Sequence, residues 1–274
     1  MRDVHALLRQ FNLRPRKKLG QHFLISPGAL DRIAAEADLT EEDAVLEIGA
    51  GLGHLTHRLA AAAGAVVAVE VDRHLMPVLE EEMAGYSNVR LVEGDILRLD
   101  PAELMTEQPY KVVANLPYSI TSAVLRHLLE ARVPPTTIVV TIQREVAERI
   151  VARDGRMSLL AVSVQFYGLP TLLFRLKPGA FYPPPAVESA VLRIDRRPEL
   201  PIPAADVGDF FRIVRAGFAQ PRKQLHNNLS SGLRLTREAA IDACNNANIS
   251  PKRRAERLSI DDWTRLLNVL KSSQ

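Results

Sequence analysis

Apolar residues fall in two rhythms along the first two thirds of the chain. Short, nearly unbroken runs, rich in Val and Ile, lie at 44–48, 65–70, 89–93, 111–114 and 136–142. Runs of that length read as strands buried on both faces, the habit of a parallel sheet. Segments suited to helices lie between them, at 54–62, from an Asp72 cap to about 84, and at 119–131. Ahead of the first strand, Ser26-Pro27 reads as an N-cap with proline at the first helical position, opening a helix to about Ala37. A short amphipathic segment, 4–11, comes first of all. Strand–helix alternation of this kind predicts a doubly wound α/β sheet.

The rhythm changes after Arg153. Residues 158–167 read as a helix. Two strand-like stretches follow, 171–176 and 187–195, joined through Phe181-Tyr-Pro-Pro-Pro185. Adjacent strands with no helix between them predict an antiparallel pair at the sheet edge. Residues 196–203 hold three prolines and read as a linker. Everything beyond is helical in pattern. The expected division is therefore an α/β domain over 1–200 and a smaller all-helical domain over 201–274.

Composition narrows the possibilities. A single cysteine, Cys244, excludes an internal disulfide and a Cys-rich zinc site, and suits packing in the helical domain. The longest apolar run, 59–69, falls well short of the ~20 residues a membrane span needs. The N-terminus has no apolar segment with a cleavage site, so a cytoplasmic location is expected. Net charge is only +3, but its distribution is uneven. Residues 1–22 carry six basic side chains against one acidic, and residues 212–274 carry twelve against five. An acidic body with two basic ends is a candidate footprint for a polyanion such as nucleic acid.

The chemistry signals sit where strands end. Glu47-Ile-Gly-Ala-Gly-Leu-Gly53 follows the first strand and opens a helix. Gly49 and Gly51 permit positive φ and close backbone approach to a ligand. A dinucleotide loop would want a further glycine at 54, where this chain has His. An S-adenosylmethionine site, with no pyrophosphate to cradle, suits the pattern better. Glu70 ends the second strand, where a carboxylate can accept from both ribose hydroxyls. Asp95 and Ile96 follow the third strand and could meet the amino group and face of an adenine. The fourth strand ends in Asn115-Leu116-Pro117-Tyr118, the Asn/Asp/Ser-x-Pro-aromatic pattern of amino-group methyltransferases. There the Asn115 oxygen and the Leu116 or Pro117 carbonyl could each accept one hydrogen of an adenine amino group. Tyr118 offers a stacking face, and Phe181 could sandwich the base from the other side. A base inside a duplex could not reach such a pocket, so the target is unpaired or flipped out.

Taken together, these residues resemble the KsgA-type ribosomal RNA adenine dimethyltransferases from about Lys18 to Leu267. The resemblance rests on Leu19-Gly-Gln-His-Phe-Leu24, Glu47 to Gly53, Glu70-Val-Asp72, Gly94-Asp95, Asn115 to Tyr118, Gln143-Arg-Glu-Val146, Phe181-Tyr-Pro-Pro-Pro-Ala-Val187 and Phe218-Ala-Gln-Pro-Arg-Lys223. It implies a Rossmann-like class I methyltransferase sheet. It implies S-adenosylmethionine as cofactor, held by His22, Leu24, Gly49, Glu70, Asp95 and Asn115, and no metal. The implied reaction is dimethylation of N6 on two adjacent adenines near the 3′ end of small-subunit rRNA, within a pre-30S particle. A monomer is expected. Two positions depart from the family pattern. His22 stands where many members carry Asn, and Pro221 replaces the first Arg of the tail motif, leaving Arg222 and Lys223.

The sister family acting on large-subunit rRNA shares the cofactor motifs. The unbroken Pro183–Pro185 run and the Arg-Lys tail favour the small subunit. A ribosome-assembly checkpoint with incidental methylation is the other reading, and His54 together with the Asn-Leu-Pro-Tyr motif argues against a nicotinamide dehydrogenase. Arg14, Lys17 and Lys18 are expected to contact RNA phosphate and to order on binding. Arg144 is expected either to contact RNA or to pair with Glu148. His54 and His57, three apart on a helix, are expected to be structural rather than metal ligands.

Overall fold

The computed structural model describes residues 2–106, 109–153 and 155–272. The chain forms two compact units. One runs to Ala147 and includes Pro170–Arg196; the other comprises Glu148–Leu169 and the chain from Arg197.

The first unit opens with α1 (Val4–Gln10), capped by the Asp3 side chain on the Ala6 N–H. After β1 (Phe23–Leu24) comes α2 (Pro27–Ala35), started by the Ser26 cap and Pro27 as the sequence predicts. Then β2 (Ala44–Ile48), α3 (His54–Ala62), β3 (Ala65–Glu70), α4 (Met76–Met83), β4 (Val89–Glu93), α5 (Pro101–Leu104), β5 (Tyr110–Asn115), α6 (Thr121–Leu129) and β6 (Thr137–Gln143) follow in alternation. The chain continues through α7 (Arg144–Ile150) and α8 (Leu159–Tyr167) to β7 (Gly168–Leu176), β8 (Phe181–Tyr182) and β9 (Ser189–Arg196). The second unit is completed by α9 (Val207–Phe218), α10 (Leu225–Leu233), α11 (Arg237–Asn246) and α12 (Ile260–Ser272).

Among the described residues, seven strands form one sheet in the order β4-β3-β2-β5-β6-β9-β7. The pairs among β2 to β6 are parallel, and β9 runs antiparallel to β6. The predicted edge strands are β7 and β9, neighbours at the sheet edge. Strand order reverses between β2 and β5: the chain grows outward one way through β3 and β4, and the other way through β6. Ligands of open α/β sheets bind at such a switch point, beyond the carboxyl ends of the strands. This is where the glycine loop after β2 and the Asn-Leu-Pro-Tyr turn after β5 emerge. The doubly wound α/β sheet that the sequence predicts is thus what the chain builds.

One element was not foreseen and two local expectations are corrected. The two-residue ladder β1–β8, pairing Phe23 with Tyr182 and Leu24 with Phe181, is too short to leave a periodicity in the sequence. Asp72 does not cap α4. The Leu75 N–H bonds to the Asp72 carbonyl in a turn, and α4 starts at Met76. The division expected at residue 200 also differs from the compact units. Helix α8 is buried on most of its surface, and Phe166 packs at 4.6 Å and 5.1 Å between ring centroids against Phe210 and Phe211 of α9. Residues 148–169 therefore belong with the C-terminal helices, whose core also encloses Trp263 and Cys244. No described helix is long and apolar enough to cross a membrane.

Candidate active site

At the switch point lies an open cleft of about 740 Å³, counting the space shared with solvent. Four segments line it: 19–23, the glycine loop with Ile48, Gly49 and Gly51, the end of β3 with Glu70 and Val71, and Asn115 to Tyr118. Gly94, Asp95 and Ile96 complete it beyond β4.

The glycines are required by their geometry. Gly49 has φ +77° and Gly51 φ +62°, where a side chain is strained. A Cβ on Gly49 would point toward the Asn115 carbonyl at 3.8 Å, and one on Gly51 would meet the Phe23 ring at 3.2 Å. The loop is locked by Glu70, whose two carboxylate oxygens accept the N–H groups of Gly51 and Asp72, each at 2.8 Å. Burial pushes the Glu70 carboxyl above its ordinary range, and these two N–H groups pull it back. Each of its oxygens keeps a second lone pair for a ligand hydroxyl. One residue before the cleft, Glu47 is 1% exposed, and its Oε2 has no partner among the described residues. Burial, opposed by the nearby Thr56 hydroxyl, pushes its carboxyl up to about 8.

The Asn115 amide is oriented by its surroundings. Its Nδ2 donates to the His22 carbonyl at 2.9 Å. A carbonyl can only accept, so the amide cannot be turned round. Oδ1 is left as the accepting end. The two carbonyls that follow also differ. That of Pro117 already accepts from the Ile120 N–H at 3.2 Å and the Thr121 hydroxyl at 3.4 Å. That of Leu116 takes no hydrogen bond among the described residues, while the Leu116 N–H is held by Thr141 at 3.1 Å. Tyr118 is half-buried. Its hydroxyl lies 2.6 Å from Ser189 Oγ, and its ring stacks on His22 at 5.9 Å and 21°. Burial raises its phenol pKa, keeping it protonated. The His22 Nδ1–H donates to the Pro183 carbonyl at 2.6 Å, tying the 19–23 segment to the proline loop.

The structure thus gathers His22, Gly49, Gly51, Glu70, Asp95, Ile96 and Asn115 to Tyr118 around one cleft. It does not bring Phe181 or Leu24 there. Paired across the β1–β8 ladder, both turn to the core: Phe181 is 2% exposed among Leu30, Ile33 and Leu176. Side chains alternate along a strand, so the ladder that buries this pair sends Phe23 to the cleft wall. Arg14, Lys17 and Lys18 are exposed. Lys17–Leu19 form a turn of 3-10 helix closed by Gly20. Arg144 donates to Glu188 at 2.7 Å. Arg222 and Lys223 lie exposed in the turn after α9. His54 and His57 are engaged structurally, His54 with the Arg2 carbonyl and His57 with Tyr86 and Glu82. Ser189 and Gln21 were missed. Ser189 reaches Tyr118 only because β9 pairs with β6, which no local pattern announces.

Comparison with known proteins agrees with this geometry. The family model for ribosomal RNA adenine dimethylase matches residues 12–272. The ribosomal RNA small subunit methyltransferase A of Dehalococcoides mccartyi is 47% identical over 267 residues, covering 97% of this chain and 92% of the relative. That of Pelotomaculum thermopropionicum is 43% identical, covering 95% and 92%. Among solved structures, the 23S rRNA methyltransferase ErmE aligns with a TM-score of 0.74 at 29% identity, over 91% of this chain and 99% of that one. A dimethyladenosine transferase from Plasmodium falciparum aligns at 0.78 with 24% identity, over 92% and 98%, which speaks to the fold. The match across nearly the whole chain, with the motif residues meeting in one cleft, shows that this chain belongs to the ribosomal RNA adenine dimethylase family.

Proposed function

We propose that the chain dimethylates adenine N6 in small-subunit rRNA from S-adenosylmethionine, acting on a pre-30S particle in the cytoplasm. The observation that carries the reading is the fixed orientation of Asn115, with Oδ1 and the Leu116 carbonyl as neighbouring acceptors at the end of β5. The cleft fits the cofactor. Gly49 and Gly51 take the positive φ that lets the loop backbone face the cleft, and Glu70 has lone pairs for ribose hydroxyls. Asp95 and Ile96 stand ready for an adenine edge and face. When bound, the sulfonium supplies the methyl group and leaves as a neutral thioether.

The protein's part is then positioning. Adenine N6 is a weak nucleophile because its lone pair is delocalised into the ring. Asn115 Oδ1 and the Leu116 carbonyl each accept one amino hydrogen and draw the nitrogen toward tetrahedral geometry, which localises the lone pair. The Pro117 carbonyl, occupied by its own turn, is not the second acceptor. Tyr118 holds the base face, worth about 1–3 kcal/mol by analogy with stacking in single-stranded sites. The proton lost from N6 passes to solvent after transfer, so no strong base is needed. After one methylation, one amino hydrogen remains for one acceptor, and the same geometry serves the second transfer. Arg14, Lys17, Lys18, Arg222 and Lys223 supply exposed positive charge for rRNA phosphates.

The test is methyl transfer from labelled S-adenosylmethionine to unmodified small subunits, naked small-subunit rRNA and naked large-subunit rRNA, with nucleoside analysis. Dimethyladenosine on the assembled subunit is the expected product. Label on large-subunit rRNA alone would assign the chain to the large-subunit reaction. Subunit binding with no label at all would favour an assembly-checkpoint role.

A further inference from the structure

Residues 19–23 form the front wall of the cleft, and what holds that wall is not the cleft itself. Asp72, only 4% exposed and two residues past Glu70, sits behind it. Its Oδ2 accepts from Gln21 Nε2 at 2.9 Å, and its Oδ1 lies 3.2 Å from Arg16. The Gln21 Oε1 accepts the Arg16 N–H at 2.7 Å, closing a ring of contacts across residues 16–21. His74 completes it. Its Nε2 lies 3.2 Å from Arg16 and its Nδ1 3.1 Å from Asp72 Oδ1. Arginine only donates, so Nε2 accepts and the ring proton stays on Nδ1, facing the carboxylate. The Asp72 N–H meanwhile bonds to Glu70. One carboxylate therefore joins the basic N-terminal segment to the loop carrying the cofactor carboxylate. The Asp72 carboxyl is held below its ordinary range: these bonds and Arg16 outweigh a burial penalty that raises it.

We propose that Asp72 is a positioning residue for the cofactor: it latches the 16–21 strap as the front wall of the cleft without lining the cleft. The inference rests on the cleft being the S-adenosylmethionine site. The wall that Asp72 holds carries Gln21 and His22, which line the cleft. The latch also sets the carbonyl of His22, which in turn orients Asn115. Across the gap Gln21 bonds to Asp72, and Arg16 to Asp72 and to His74, whose ring is itself held by Asp72, so loosening Asp72 slackens both.

The experiment measures S-adenosylmethionine affinity and dissociation rate, by calorimetry and stopped-flow, on full-length wild type, Asp72→Asn, Arg16→Gln and the double variant. Wild type must bind; if it does not, the site assignment fails and the latch is not at issue. Asp72→Asn keeps the shape and the backbone N–H to Glu70 but loses the charge that holds Arg16. We expect at least a tenfold loss of affinity, carried by faster dissociation and a raised cofactor KM more than by kcat. Arg16→Gln, at a half-exposed residue outside the cleft wall, should weaken binding at least threefold, and keeps the test standing if Asp72→Asn folds poorly. The double variant should be no worse than Asp72→Asn, because both remove one latch. Affinity within twofold of wild type in Asp72→Asn, or strictly multiplicative losses in the double variant, would overturn the proposal.

Discussion

Replacing Asn115 with Asp separates the motif from the structure. The pattern at a strand end tolerates either residue in amino-group methyltransferases, so sequence alone predicts a working enzyme. The structure predicts otherwise. Asn115 Nδ2 donates to the His22 carbonyl at 2.9 Å. Aspartate places an acceptor oxygen at that spot, facing another acceptor. The lost hydrogen bond costs about 0.5–1.5 kcal/mol, and leaving the partly buried carbonyl unpaired adds about 1–3 kcal/mol. Relief comes only by rotating the side chain, which removes the oxygen that would accept from the target amine. A combined penalty of about 1.5–4.5 kcal/mol predicts a rate lower by roughly 10- to 2,000-fold. The added negative charge beside a sulfonium should leave cofactor binding intact or tighter. The assay is single-turnover methylation at saturating cofactor and subunit, across pH. Protonation restores a donor to the carboxyl, so the variant's rate relative to wild type should rise as pH falls toward the carboxylate range. A variant within twofold of wild type at neutral pH would refute the oriented-amide argument.

Three further outcomes follow from the site and its frame. Gly49→Ala forces an alanine to φ +77°, costing about 1–2 kcal/mol, and places a methyl in the cleft; calorimetry should show cofactor affinity falling far more than thermal stability. Glu47 has a folded-state pKa raised from 4.5 to about 8, so the native state holds a proton the unfolded chain releases, and stability falls as pH rises through that window, by at most about 5 kcal/mol. Glu47→Gln should remove this slope, and melts at pH 6 and pH 9 that decline in parallel with wild type would contradict it. Phe181→Ala should destabilise the fold by about 3–5 kcal/mol, whereas Phe181→Leu should fold and methylate; loss of methylation in a fully stable Phe181→Leu would restore a stacking role for that ring.

What the sequence determined by itself was everything with a local cause. The parallel strands β2, β3, β5 and β6, buried on both faces, appear as unbroken apolar runs, whereas 89–93, read the same way, forms the edge strand β4 and is only partly buried; the Ser26-Pro27 start of α2 appears as a cap and a fixed φ. Positive-φ positions appear as the glycines of the loop after β2. The Asn-Leu-Pro-Tyr turn and Glu70 were legible because their chemistry depends on neighbours in the chain and on ending a strand. The tertiary structure decided what depends on partners far away in sequence. Phe181 reads as an exposed aromatic beside a proline loop until its two-residue ladder with Leu24 turns it into the core. Asp72 reads as a helix cap until the strap from Arg16 to Gln21 comes to lie against it. The choice between the Leu116 and Pro117 carbonyls depended on which one its own turn consumed. The assignment of residues 148–169 depended on where the faces of α8 found apolar partners. Periodicity records how much of an element is buried; it does not record against what, and that difference separates the residues foreseen here from those the fold alone revealed.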